Sequence, residues 1–343
     1  LPADAYVVLF LGRLSFHSKA HPLLLYRALR QLAQEKPGVV LLECGHLFNS
    51  EIEAAFAEIA SQMPELDVRR IGGLKPATEQ QKLLCLGAAD VFCSPADNLQ
   101  ETFGLSLLEA MASELPVIAS DWNGYRDLVE PGVTGELLTT RACFAPNGEI
   151  DELERDYRLG MIDYDTMIGL RSLTTDVDYQ ELVDVLRRWR HHPAHRNELG
   201  KAGRARVEHY FSWEVVTQQY RSLWQELSQC RKHHQEQQFL TKPDPGVTPF
   251  GRLFGHYPTQ LVQHPFSVPT TLHRSVDATS PAVLLQRMQQ GFMKRLTGDQ
   301  LESLVAQLRK SSVIAPSDLA NLGLTPQQQA DVVQALRKLG ILA

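Results

Sequence analysis

Cysteine is scarce in this sequence: Cys44, Cys85, Cys93, Cys143 and Cys230 make five, with no Cys-x-x-Cys pair among them. An odd count without close spacing argues against a disulfide scaffold or a clustered zinc site, and three of the five stand in apolar contexts that suit reduced core thiols. Long apolar runs are missing as well. No stretch reaches the roughly 20 residues that a membrane helix needs, and the opening residues lack the charged-then-apolar order of a secretory signal, so the expected location is cytoplasmic. Basic blocks are absent: 34 Lys and Arg face 40 Asp and Glu, a net charge of −6, which argues against general nucleic-acid binding. The pairs His191-His192 and His233-His234 have no Asp or Cys at metal spacing and read as solvated helix ends. The remaining composition, 43% apolar and 22% charged, is that of a folded enzyme, and 343 residues suffice for two domains.

From residue 5 to 140, short apolar runs alternate with helix-period segments. Strand-like runs lie at Tyr6–Leu14, Val39–Cys44, Val68–Ile71, Asp90–Ser94 and Pro116–Ala119, each brief and ending at or near Gly or Pro. Between them, His21–Glu35, Ser50–Met63, Thr78–Ala88 and Gly104–Ser113 space apolar residues three and four apart. Such alternation predicts an α/β fold, a Rossmann-like parallel sheet with helices on both faces, whose ligand lies beyond the carboxyl ends of the strands. Residues 139–179 break the rhythm and read as an insertion, with a polar helix from Asp151 and an extended stretch over Ser172–Asp178. Helices resume at Gln180–Trp189, His195–His209 and Trp213–Leu227, closing a domain over residues 1–229. Residues 230–280 read as a Pro-rich linker, with Phe250, Phe254, Tyr257 and Phe266 interleaved, that wraps a surface rather than building a core. Residues 281–343 read as a small α-helical appendage with helices at Ala282–Gln290, Gly298–Lys310, Pro316–Leu322 and Pro326–Leu339, independent of the catalytic core.

The most informative stretch is Glu101-Thr-Phe-Gly-Leu-Ser-Leu-Leu-Glu109, two carboxylates eight residues apart across a loop-to-helix junction. A helix beginning near Gly104 offers unpaired N–H groups and a positive dipole end to a phosphate, while carboxylates beside it accept bonds from sugar or ribose hydroxyls. Around it stand Gly12-Arg13-Leu14 with Lys19 beyond, Pro116-Val-Ile-Ala-Ser120, Arg126-Asp127 and Phe211-Ser212-Trp213. In this order the parts resemble the donor-binding, C-terminal half of retaining GT-B glycosyltransferases of family 4 (group 1), over roughly residues 5–225. The Arg–Lys spacing is one residue longer than the family's commonest version, and Asp127 stands where Glu is frequent.

The resemblance implies a nucleoside-diphosphate sugar as donor, transfer with retention, no metal or other cofactor, and an acceptor-binding domain in the same polypeptide or a separate one. It assigns Arg13 and Lys19 to the diphosphate, Glu101 to the sugar near its anomeric carbon, Glu109 to the ribose, and the main chain of Phe103, Gly104, Leu105 and Ser106 to the phosphates. Lys75, with Pro76, stands either where the family's backbone meets the nucleobase or in an ordinary turn. His17 and His21, which flank Lys19, read as exposed loop histidines in preference to phosphate or sugar contacts. The sequence leaves the glycan, lipid or small-molecule acceptor open, along with two rival functions: a nucleotide-sugar-binding scaffold without catalysis, and a sugar-nucleotide epimerase.

Overall fold

Strand β1 (Tyr6–Leu14) sends Tyr6, Val8 and Phe10 to one face and Val7, Leu9 and Leu11 to the other, and both sets are buried. Strand β2 (Val39–Leu47) repeats the pattern, with Val39 and Leu41 opposite Val40, Leu42 and Cys44. Strands apolar on both faces need cover on both, which is the condition met by a parallel sheet between helical layers. A computed structural model describes residues 2, 4–144, 149–234, 248–262, 296–310, 314–338 and 341–342. In it β1 and β2 join β3 (Asp67–Gly73), β4 (Val91–Ser94), β5 (Val117–Ser120) and β6 (Gly135–Leu138) in a six-stranded sheet. The order is β3-β2-β1-β4-β5-β6 with every pair parallel, so the expected Rossmann-like α/β class holds.

Helices α1 (Pro22–Glu35) and α2 (Ser50–Ser61) cover one face. Helices α3 (Glu79–Ala88), α4 (Leu105–Ala112) and α5 (Tyr125–Leu128) cover the other. Further along the chain, α8 (Tyr179–His191) packs on α1 and α9 (Pro193–Tyr210) on α4, and α10 (Trp213–His234) follows. Gly200 of α9 lies so close to the carbonyl of Glu114 that a Cβ would sit 2.0 Å from it. The strand order reverses between β1 and β4, and at such a switch point the two following loops diverge and leave a crevice. The loops after β1 and β4 carry Lys19 and Glu101.

The 139–179 segment is a compact unit. Strand β7 (Thr140–Ala142) pairs antiparallel with β8 (Thr175–Val177) and parallel with β9 (Gln260–Leu261). The expected polar helix is α6 (Glu152–Arg158), capped by Asp151. The expected extended stretch shortens to β8, because Ser172 and Leu173 end a helix that was not foreseen, α7 (Tyr164–Leu173). Its buried Met167, Ile168 and Arg171 recur three and four apart, the spacing of one helical face.

Two expectations for the carboxy-terminal part do not hold. The aromatic segment builds a core: Phe250, in α11 (Phe250–Phe254), and Tyr257 are buried with Leu99, Trp122 and Phe144, and the Trp122 and Tyr257 rings meet edge to face at 5.5 Å. Arg126 donates to the His256 carbonyl at 2.7 Å and Asn123 N–H to the Tyr257 carbonyl at 3.1 Å, which fasten that segment to the loop after β5. The final helices are likewise no separate appendage. Pro326–Lys338 packs on β8 and α7, and Val332, Val333, Leu336 and Leu342 share a core with Leu14, Ala20 and Leu23. Apolar residues on one side of a short helix need a surface, and the insertion supplies it. Phe266 and Ala282–Gln290 lie outside the described residues.

Candidate functional site

Three of the expected site residues, Arg13, Lys19 and Glu101, meet at the switch point. Arg13, near the end of β1, donates from Nη2 to Gln100 Oε1 at 3.0 Å and lies 3.5 Å from the Ser18 carbonyl. Lys19 is paired with Glu101 across the crevice, and both side chains are close to nine-tenths buried. Lys19 Nζ also lies 3.4 Å from the Tyr125 hydroxyl, which in turn is 3.0 Å from Ser94 Oγ. Burial first, and the Glu101 charge second, push the Tyr125 phenol well above its ordinary range, so it remains a neutral hydroxyl beside the ion pair.

The loop bearing Glu101 is fixed by Asn98. The Asn98 side chain donates to the His17 carbonyl and accepts from Gln100 N–H at 2.9 Å. Its carbonyl takes Glu101 N–H at 3.0 Å and Trp122 Nε1–H at 3.1 Å. Gly104 then turns the chain into α4 with φ +101°, a left-handed conformation, and a Cβ there would lie 2.5 Å from the Tyr125 ring. No side chain caps α4, so its first turn, with Leu105 and Ser106, begins without a side-chain acceptor next to the Lys19–Glu101 pair.

Other expected residues lie around this centre. Phe103 is exposed at the loop tip, and Lys75 is exposed in the loop after β3. Glu109, in the second turn of α4, pairs with Lys82 of α3 at 2.7 Å, and Lys82 also pairs with Glu79 at 2.8 Å. Burial pulls the Lys82 ammonium down, but Glu109 and Glu79 outweigh it and hold it above its ordinary value. Sequence reasoning missed Lys82, Asn98, Gln100 and Tyr125. Gln100 and Asn98 flank the Glu101 motif closely enough to have been found; Lys82 and Tyr125 meet it only through the fold.

The histidines differ from expectation. His17 is buried, with Nδ1 3.0 Å from Ser15 Oγ and its ring edge-on to Phe48 at 5.6 Å. His21 is buried and caps α1, accepting Leu23 N–H at Nδ1 over 3.3 Å, a use of imidazole that composition does not reveal. Burial, then the nearby Lys338 charge, lowers the His21 pKa to about 3. Its folded-state pKa lies below the unfolded one, so its contribution is complete above the unfolded value and declines as pH falls towards the folded value. Between pH 6.5 and pH 5 it should remove about 1.5 kcal/mol of stability. Urea unfolding of the chain should show that slope, and His21→Asn, which keeps a capping acceptor, should flatten it; equal slopes in both would contradict the assignment.

Among the described residues no group of three or more His, Cys, Asp and Glu side chains is placed to hold a metal ion. Asp176 and Asp178 both pair with Arg141, at 3.2 and 2.8 Å, and Asp163 caps α7. Cys44, Cys85, Cys93 and Cys143 are buried and free, and Cys230 is exposed. No described helix is long and apolar enough to cross a membrane.

Residues 1–164, which span the sheet from β1 to β6 and the crevice loops, match the family described as glycosyl transferases group 1. Phosphatidyl-myo-inositol mannosyltransferase of Mycobacterium tuberculosis is 32% identical over 160 residues, covering 45% of this chain and 40% of that protein. D-inositol 3-phosphate glycosyltransferase of Saccharomonospora viridis is 36% identical over 146 residues, covering 41% and 32%. The chain thus spans less than half the length of these curated relatives. Among solved structures, sucrose-phosphate synthase from Thermosynechococcus elongatus aligns with a TM-score of 0.47 and 26% identity, over 67% of this chain and 47% of that one. Residues 1–164, which carry the six-stranded parallel sheet and its crevice, are thus similar to the group 1 glycosyl transferases.

Proposed function

We propose that this chain is the donor-binding part of a retaining, family 4 glycosyltransferase of GT-B type, which takes a nucleoside-diphosphate sugar and transfers its hexosyl group. The carrying observation is the convergence of Arg13, Lys19 and the uncapped start of α4 around Glu101. A leaving diphosphate gathers negative charge in the transition state, and a planar guanidinium, an ammonium and aligned N–H groups are three preorganised sources of opposite charge. They perform without a metal the task that a divalent cation performs elsewhere.

Glu101 faces the same point with a carboxylate. One loop and one helix do not flank a glycosidic bond as a glycosidase carboxyl pair does, about 5 Å apart, so a covalent glycosyl-enzyme is not the reading. The assigned course is front-face displacement. The acceptor hydroxyl attacks on the side from which the diphosphate departs, and a phosphate oxygen takes its proton. Glu101 orients the sugar and stabilises positive character at its ring. Glu109 receives the ribose hydroxyls, Lys75 borders the nucleobase, and Phe103, Gly104, Leu105 and Ser106 line the phosphates with main chain. A second domain, in this polypeptide or another, presents the acceptor.

Calorimetry with UDP, GDP and ADP tests this reading on the chain itself. One nucleotide should bind with a dissociation constant of about 1 mM or tighter, at least about 4 kcal/mol. A folded chain that binds none of the three would remove the assignment of Arg13, Lys19 and α4.

A further inference from the structure

The loop from β4 to α4 is tied at Asn98 by neutral hydrogen bonds to neighbouring site loops, but one residue earlier it is tied by charge. Asp97 is buried, and its partner is Lys338, the last residue of the helix Pro326–Lys338. Each side chain is 5% exposed, and Lys338 Nζ also donates to the Ser172 carbonyl at the end of α7. Burial pushes the Asp97 carboxyl up and the Lys338 ammonium down, and each charge opposes the shift of the other. A buried ion pair adds little net stability over an apolar pair of the same volume, because desolvation consumes most of the attraction. It does fix position, since either charge alone in that setting is costly. The position fixed here is that of Asp97, which precedes the Asn98 that holds Gln100 and Glu101 by their N–H groups.

We propose that Lys338 is a positioning residue for the donor site, through which the carboxy-terminal helix and the insertion hold the Glu101 loop in register with Lys19. Its functional half rests on the nucleoside-diphosphate-sugar reading; its structural half does not. The helix is thereby a working part of the crevice, although it lies outside the segment that matches the family.

Two variants of the full chain test this. Lys338→Met leaves the Asp97 carboxyl buried without its cation, whereas Lys338→Met with Asp97→Asn removes both charges and with them the cost of an unpaired one. Hydrogen exchange is read at the N–H groups of Gln100 and Glu101 and, for comparison, at Leu9 and Leu41 in the central strands. In both variants the two loop amides should exchange at least about tenfold faster while the strand amides keep their rates. Affinity for whichever of UDP, GDP and ADP binds the wild type should fall at least about fivefold in both. Unchanged exchange at Gln100 and Glu101 overturns the proposal. So does a double variant that regains wild-type exchange and affinity, because removing an unpaired charge would then account for everything. If the single variant does not fold, the double variant decides. A wild-type chain that binds none of the three nucleotides defeats the donor reading, and the exchange comparison still decides whether Lys338 holds the loop.

Discussion

Arg171→Met should cost about 3–5 kcal/mol of stability, the penalty for breaking a buried pair and leaving one charge behind. Arg171 is 2% exposed and its partner Asp151 4%. Nη2 donates to both carboxylate oxygens, at 2.8 and 2.6 Å, and Nη1 to the Cys143 carbonyl at 3.3 Å, while the guanidinium lies 5.0 Å from the centre of the Phe144 ring. Those contacts join α7 to the cap of α6 and to the chain after β7, so one side chain closes the whole 139–179 unit. Urea unfolding measures the loss. Arg171→Met combined with Asp151→Asn should recover a large part of it, because the abandoned charge is gone. A single-variant loss under about 1 kcal/mol would place the pair among ordinary surface interactions, whatever its burial.

The same unit shows why parts of this fold were legible and others were not. β1, β2, β4 and β5 announce themselves through runs that are apolar on both faces, and they emerge within a few residues of the expected bounds. β6 did not, because Gly135-Glu-Leu-Leu is four residues long with Glu136 in its middle, a pattern shared with many turns. The insertion was recognised by its break in rhythm, yet its purpose depends on β9 and on the helix Pro326–Lys338, which approach it from far along the chain. For the site, Arg13, Lys19, Glu101 and Glu109 were visible as residue types at set spacings. Their partners were not: Tyr125 belongs to α5, after β5, and Lys82 to α3, before β4. His17 and His21 were misplaced because imidazole is read as a surface group, whereas here its nitrogens meet a hydroxyl and a helix cap inside the protein.

The pairing of Lys19 with Glu101 leads to opposite expectations for two substitutions at one ion pair. The ammonium is held by a carboxylate, beside Arg13 and the start of α4. A diphosphate bound here as proposed must draw Lys19 away from Glu101 or accept a carboxylate next to its own oxygens, and either outcome weakens binding. Lys19→Met should therefore lower nucleoside-diphosphate affinity by about 1.5–3 kcal/mol, roughly 10- to 150-fold, the usual loss for a hydrogen bond to a charged group. Glu101→Gln keeps the shape and removes the charge, so the ammonium is free for phosphate, and affinity for the bare nucleotide should hold or rise by up to about tenfold. Transfer should move the other way: on the proposed role of Glu101, in an enzyme complete with an acceptor domain, Glu101→Gln should lower kcat, because a carboxylate assigned to stabilise the sugar ring in the transition state is removed. On the proposed ribose role, Glu109→Ala, which also loses the pair with Lys82, should raise KM for the donor with a smaller effect on kcat. Calorimetry on the chain and steady-state kinetics on the complete enzyme separate these cases. If Lys19→Met and Glu101→Gln weaken nucleotide binding alike, the pair acts as a structural unit, and neither the phosphate role of Lys19 nor the sugar role of Glu101 stands.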